Sequence, residues 1–359
     1  PQEYRQITAG LLDQLAENRL NLGHPDQAQA LHHEAQLLRA ESDPGDLYLE
    51  ARALLRTGQL AAGRKILEVR AEQERLSAGS RPQRFHRETL MLLSLFCILQ
   101  GDVEMAEVTA REGIHIGQRL QSGFVESVGL MRLGHPIQMA NDQPWNPTAC
   151  RTAIPIYEQS IEKSRPFKVM RVHVEPLWGL ARATGYSGDL ASARVYAERA
   201  LEIAGQAGDV WMGNLVRVAL GAACTQTGEA REAQTWLEEA TLRFEQVGDT
   251  FGWCATQVWL ALNAWRQDHQ SAALTVLRSL LPIVRQNSYA GLLIHPTFLG
   301  LRDGQAFWPL LLEAGEQASK RHSSTSYCER LALRNWIITP AIPSGCACLA
   351  HLPSGGVRI

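Results

Sequence analysis

The chain has 359 residues, of which 45% are hydrophobic and 20% charged, with a formal net charge of −2. That composition supports a large buried core and excludes wholesale disorder. The small charge argues against a non-specific nucleic-acid binder, and no run of about 18 apolar residues reads as a membrane-spanning helix.

The opening PQEYRQITAG enters a helical pattern within a few residues. It carries no initiator methionine and no signal peptide, and is read as the cut end of a longer chain. Turns then punctuate the sequence. LGHPDQAQ holds Gly23, TGQLAAG holds Gly58, LQGDVEMA holds Gly101, YSGDLASA holds Gly188 and QTGEAREA holds Gly228. RQDHQSAA puts Asp268 at the same point, and Gly188, Gly228 and Asp268 stand 40 residues apart. Seven positions before each turn residue sit Ala16, Ala51, Ser94, Ala181, Gly221 and Ala261. Five positions after it sit Ala28, Gly63, Ala106, Ala193, Ala233 and Ala273, again all small. A second register agrees, since Gly208-Asp209 and Gly248-Asp249 are also 40 apart.

Each unit reads as a helical hairpin. The glycine permits the left-handed backbone that ends a first helix. Asp102, Asp189 and Glu229 put acids at the start of a second helix, where its dipole favours them. The small residues let the two helices approach, and Leu180, Leu220, Leu260, Leu237 and Leu277 supply bulk. One hairpin cannot bury its own apolar face, so hairpins stack.

Two breaks, ESDPGD at 41–46 and AGSRPQ at 78–83, punctuate the early hairpins. The fourth turn is expected within NDQPWNPTACRTA at 141–153, with Ala153 after it and Pro155 near the start of the second helix. The extra residues read as a surface loop, or as a partner-binding loop with Trp145 at its tip. After Gln286 the repeat stops, and HPTFLGLRD then FWPLLLEA read as a turn-rich segment and a last amphipathic helix with Leu310, Leu311 and Leu312. SYCERLALR follows as a cap on the stack.

No phosphate loop, zinc-protease helix or nucleophile elbow occurs, so neither catalytic residues, cofactor ligands nor metal ligands are assigned. His32-His33-Glu34 cannot share a metal easily on one helix, and Cys346 and Cys348 lack a matching pair. Of the seven cysteines, five are scattered, mostly in apolar helical context, which suits a reduced cytoplasmic protein. The expectation is a binding protein, not an enzyme.

The spacing resembles the tetratricopeptide repeat, with units longer than the usual 34 or so residues. Longer units point to the subgroup found in large bacterial signal-dependent transcription activators. The stretch VEPLWGLARATGYSGDLASA, a 40-residue repeat after it, and PTFLGLRD before PLLLEA look like the middle of such proteins. They are similar to the maltose-regulon activator and antibiotic regulatory protein types. The resemblance implies an all-α, right-handed superhelix of stacked antiparallel hairpins over 1–286, with a helical cap over 287–335. It implies a sensor region whose ATPase and DNA-binding parts lie elsewhere; a free-standing adaptor scaffold is the alternative. First helices line the concave groove in tetratricopeptide arrays. That register puts Glu175, Trp178, Arg182, Asn214 and Trp265 on the inner face, to receive a protein, a peptide or a small effector. Neither direct nucleic-acid contact nor a membrane is expected. The tail 336–359 has no helical period and is read as irregular or disordered, with a frameshift as one origin.

Overall fold

The computed structural model describes residues 2–39, 47–77, 84–139, 147–167 and 169–321. Every regular element among them is helical. Seven pairs follow one another: α1 Gln2–Asn21 with α2 Pro25–Leu38, α3 Leu47–Arg56 with α4 Leu60–Ser77, and α5 Arg84–Leu99 with α6 Val103–Arg119. Then come α7 Gly123–Met139 with α8 Pro147–Ser164, and α9 Val174–Tyr186 with α10 Leu190–Ala207. α11 Val210–Thr227 pairs with α12 Ala230–Val247, and α13 Thr250–Arg266 with α14 Gln270–Gln286. A single turn, α15 Gly291–Ile294, leads into a non-helical stretch up to residue 303.

The turn residues behave as their chemistry requires. Gly23, Gly58, Gly101, Gly188, Gly228 and Asp268 all hold positive φ. At Gly58 two demands coincide: its φ is +83°, and an added Cβ would stand 2.6 Å from the backbone nitrogen of Phe251. The small residues flanking the turns are buried: Ala16, Ala51, Ala181 and Ala261 on first helices, and Ala28, Ala193, Ala233 and Ala273 on second helices. Leu180, Leu220, Leu260, Leu237 and Leu277 are buried beside them.

Acids cap the helices as the dipole favours. The carboxylates of Asp102, Asp189, Asp209 and Asp249 accept the backbone N–H groups of Met105, Ser192, Met212 and Gly252 at 2.9–3.2 Å. Glu229 holds the same position on α12 but makes no such bond, its side chain being one methylene longer.

Asp249 is the cap that titrates in a useful range. Burial pushes its carboxyl up to about 6, against the pull of the Gly252 N–H and the Trp211 indole. A folded value above the ordinary one means a contribution to stability that is full below about pH 4 and lost as pH rises through 6. Asp249→Asn keeps an amide oxygen as the cap acceptor and cannot ionise. Thermal melts across pH 4–8 should therefore show the Asn variant gaining on the parent as pH rises. A constant difference between the two would refute the assignment.

One expectation needs correcting. The second helix of the fourth pair begins at Pro147, so Pro155 lies inside α8 and not near its start. Proline suits the first turn of a helix, where its missing N–H has no partner to lose. Ala153 is buried, as the repeat register expects of the small residue in that helix.

The contacts divide the chain after Gly304. In the second unit, α16 Trp308–Arg321 is amphipathic, with Leu310 and Leu311 buried and Leu312 exposed. The proposed loop tip at Trp145, the breaks at 41–46 and 78–83, SYCERLALR, Cys346, Cys348 and the tail 336–359 lie outside the described residues.

Candidate binding face on the first helices

Three of the five candidates meet in one buried cluster on α7 and α9. Glu175 lies in the first turn of α9, and its Oε1 stands 2.7 Å from Arg132 Nη1 and 2.8 Å from His135 Nε2. Burial raises the Glu175 carboxyl, but Arg132 and the His135 hydrogen bond outweigh it and leave it below its usual value. Burial holds His135 below its usual pKa despite Glu175, so the ring is neutral. Its Nε2–H therefore donates to Glu175, and Nδ1 accepts from the Tyr157 hydroxyl at 2.8 Å. Tyr157 Oη lies 3.2 Å from the Gln138 side-chain oxygen. Because that hydroxyl has one proton, the Gln138 amide must present its nitrogen there instead.

Aromatic packing extends the cluster. The Trp178 ring stands 5.3 Å from His135 and 4.9 Å, edge-on, from Phe298. His135 lies 4.5 Å from the same phenyl ring. Arg182, one turn beyond Trp178, is 1% exposed. Its guanidinium sits over Phe298 at 4.2 Å and over Tyr186 at 4.4 Å. Nη2 reaches Met139 Sδ at 3.6 Å, while Nε and Nη1 meet no acceptor among the described residues. The Trp178 indole N–H is enclosed in the same condition.

Asn214 and Trp265 stand apart from this cluster. Asn214, on α11, is fully buried, and neither amide atom finds a partner among the described residues. Trp265 is half-buried in the last turn of α13, with its carbonyl accepting the Asp268 N–H at 3.1 Å. No hydrogen bond, ion pair or ring contact among the described residues joins either to Glu175, Trp178 or Arg182.

Two parts of the chain pack on the first helices. One is the irregular stretch after α15, whose residues 297–302 are all buried. Its Leu299 carbonyl accepts the Trp259 indole N–H of α13 at 2.8 Å. Arg302 donates to the Gln138 carbonyl and touches Met139 Sδ at 3.5 Å, while Pro296 lies against the Gly101 turn. The other is the pair of N-terminal hairpins. Arg56, at the end of α3, pairs with the Asp209 cap of α11 at 2.8 Å and lies 4.4 Å over the Trp211 ring. The Tyr289 hydroxyl donates to the Gly58 carbonyl at 2.8 Å.

Sequence reasoning missed Arg132, His135 and Phe298. For His135 a signal existed: it precedes Glu175 by 40 residues, one repeat. Phe298 gave none, because it lies beyond the last hairpin. Among the described residues no group of His, Cys, Asp and Glu is arranged to hold a metal ion. Cys97, Cys224 and Cys254 are buried free thiols whose pKa burial pushes up to about 12, far from a nucleophile's. No described helix is long and apolar enough to cross a membrane.

No family model matches the chain, and no curated protein matches it in sequence. Among solved structures it is similar to a Rap protein complexed with competence and sporulation factor. That likeness has a TM-score of 0.58 at 14% identity and covers 93% of this chain and 96% of that one. It is also similar to a signal transduction ATPase with numerous domains from Pyrococcus horikoshii that carries a tetratricopeptide repeat sensor. There the TM-score is 0.48 at 13% identity, over 92% of this chain and 47% of that one, about half its length. The first likeness, with the seven hairpins, establishes an all-α fold of tetratricopeptide-like stacked repeats.

Proposed function

We propose that the chain is a regulatory helical-repeat scaffold that binds a protein, a peptide or a small effector on the inner face of its first helices. One observation carries this reading. Arg182, Trp178 and Asn214 hold buried polar atoms that meet no partner among the described residues. Such groups are costly in a core, and binding faces are where they are retained. The Rap structure, solved with its factor bound, lends the fold a precedent for ligand binding. The long-unit spacing supports a finer reading, the cytoplasmic sensor region of a bacterial transcriptional activator, with no catalysis of its own. A free-standing scaffold is the second reading, favoured by the near-complete coverage of the Rap chain.

A thermal-shift screen of the full chain against sugars, nucleotides and short peptides tests the first claim, since a ligand that binds only the folded state raises Tm. The hits should stabilise the parent and not a folded Trp178→Ala/Arg182→Ala variant. Hits that stabilise both equally would exclude the inner face. The activator reading is tested at the gene, where an intact ATPase and a DNA-binding module should flank this region.

A further inference from the structure

We infer that residues 295–302 are a built-in occupant of the binding face, and that the partner is an extended peptide with an aromatic residue beside an acid, which binds by displacing them. This inference rests on the inner-face reading above and names its ligand and its gate.

The stretch is unusual among the described residues. Connecting segments normally run over the surface, because buried backbone needs partners. Here residues 297–302 are buried without forming a helix. They cross first helices of three different pairs: Phe298 packs on α7 and α9, and Leu299 is held by Trp259 on α13. An extended peptide bound across a repeat array makes the same kinds of contact, a side chain in an aromatic pocket and a carbonyl held by a side-chain donor.

The occupant fits in shape and fails in charge. Phe298 fills the space between Trp178, His135 and Arg182. From His295 to Arg302 the sequence HPTFLGLR contains no acid. Among the described residues Arg182 therefore has an aromatic face to lie on and no carboxylate for Nε and Nη1. The acid in the cluster, Glu175, is already engaged by Arg132 and His135. A ligand that supplied both a ring and a carboxylate would keep what Phe298 provides and add an ion pair in a low-dielectric site. The tether gives the resident segment a high effective concentration, so the incoming peptide must outcompete it.

The test uses the full chain and two synthetic peptides, acetyl-HPTFLGLR-amide and acetyl-HPEFLGLR-amide, which differ in one acid. Phe298→Ala weakens the occupant. The acidic peptide should bind Phe298→Ala at least tenfold more tightly than it binds the parent, and more tightly than the neutral peptide does. Adding Arg182→Gln should abolish the preference for the acidic peptide. Hydrogen exchange should show residues 295–302 losing protection in Phe298→Ala and losing it again in the parent at saturating acidic peptide. If Phe298→Ala does not fold, Trp259→Phe removes the indole donor to Leu299 together with part of the buried ring beside Tyr186, and is expected to raise affinity severalfold. Equal affinity for parent and variant, with binding still dependent on Arg182, would overturn the displacement and leave the inner-face reading standing. Binding by neither peptide to a folded Phe298→Ala would overturn the inference about the ligand.

Discussion

Asp209→Ala is expected to cost the fold about 3–5 kcal/mol, read as a lower urea midpoint. Asp209 is 1% exposed and its carboxylate serves two partners at once. One oxygen caps α11 through the Met212 N–H at 3.2 Å and also receives Arg56 Nη1 at 2.8 Å. Removing the carboxylate takes this charge partner from the Arg56 guanidinium, which lies buried beside Trp211 and Asn21. An isolated buried charge costs far more than an exposed pair contributes, which sets the size of the effect. Loss of the cap adds about 1 kcal/mol. Asp209→Asn separates the two, because it retains a cap acceptor and loses the charge. The double change Arg56→Leu/Asp209→Asn should recover most of the loss. A double variant no more stable than Asp209→Ala would show that the N-terminal hairpins are held by something other than this pair.

The second large effect concerns Tyr157, whose ring lies between two helices at points where neither has a side chain. A Cβ added at Gly134 of α7 would meet the ring at 2.3 Å, and one at Gly179 of α9 would meet it at the same distance. Both contacts are with a ring that is fully buried and hydrogen-bonded to His135, so it cannot swing away cheaply. Gly179→Ala should therefore destabilise by about 1–3 kcal/mol through overpacking, although alanine is the better helix former. Tyr157→Ala should cost about 3–5 kcal/mol by leaving a cavity and stranding His135 Nδ1. The two changes relieve each other in part. In the double variant the new methyl enters vacated space, and the summed loss should exceed the measured one by about 1 kcal/mol or more. Strict additivity in urea melts would mean that the ring does not occupy this slot.

Much of the fold was legible because its rules are local. A glycine or aspartate in the left-handed region and small residues at fixed distances specify a hairpin within about 20 residues of chain, and all six turns obey. Helical spacing set Glu175, Trp178 and Arg182 on α9, and the structure gathers them into one buried cluster. What packs on that cluster was not legible. Phe298 reaches Trp178 from 120 positions away, and Asp209 reaches Arg56 from 153. No periodicity encodes such pairs. An aromatic, an acid and an arginine at groove spacing look the same in an open groove and in a closed one. The start of α8 was missed for a smaller reason, that Pro147 opens a helix as readily as it breaks one.

The closure at Gly58 alters how this chain should reach its native state. An open stack of repeats grows by adding neighbours, and each contact spans a few tens of residues. Here the Gly58 turn is bonded to Tyr289 across 231 positions and to Thr250 across 193. Such contacts form only after a long loop has been gathered, and the entropic penalty precedes any gain. Hairpins should therefore assemble quickly and in any order, while the docking of α1–α4 onto α11 and α13 comes late. The last step to form is also the first available to open, so access to the interior is set by the order of assembly.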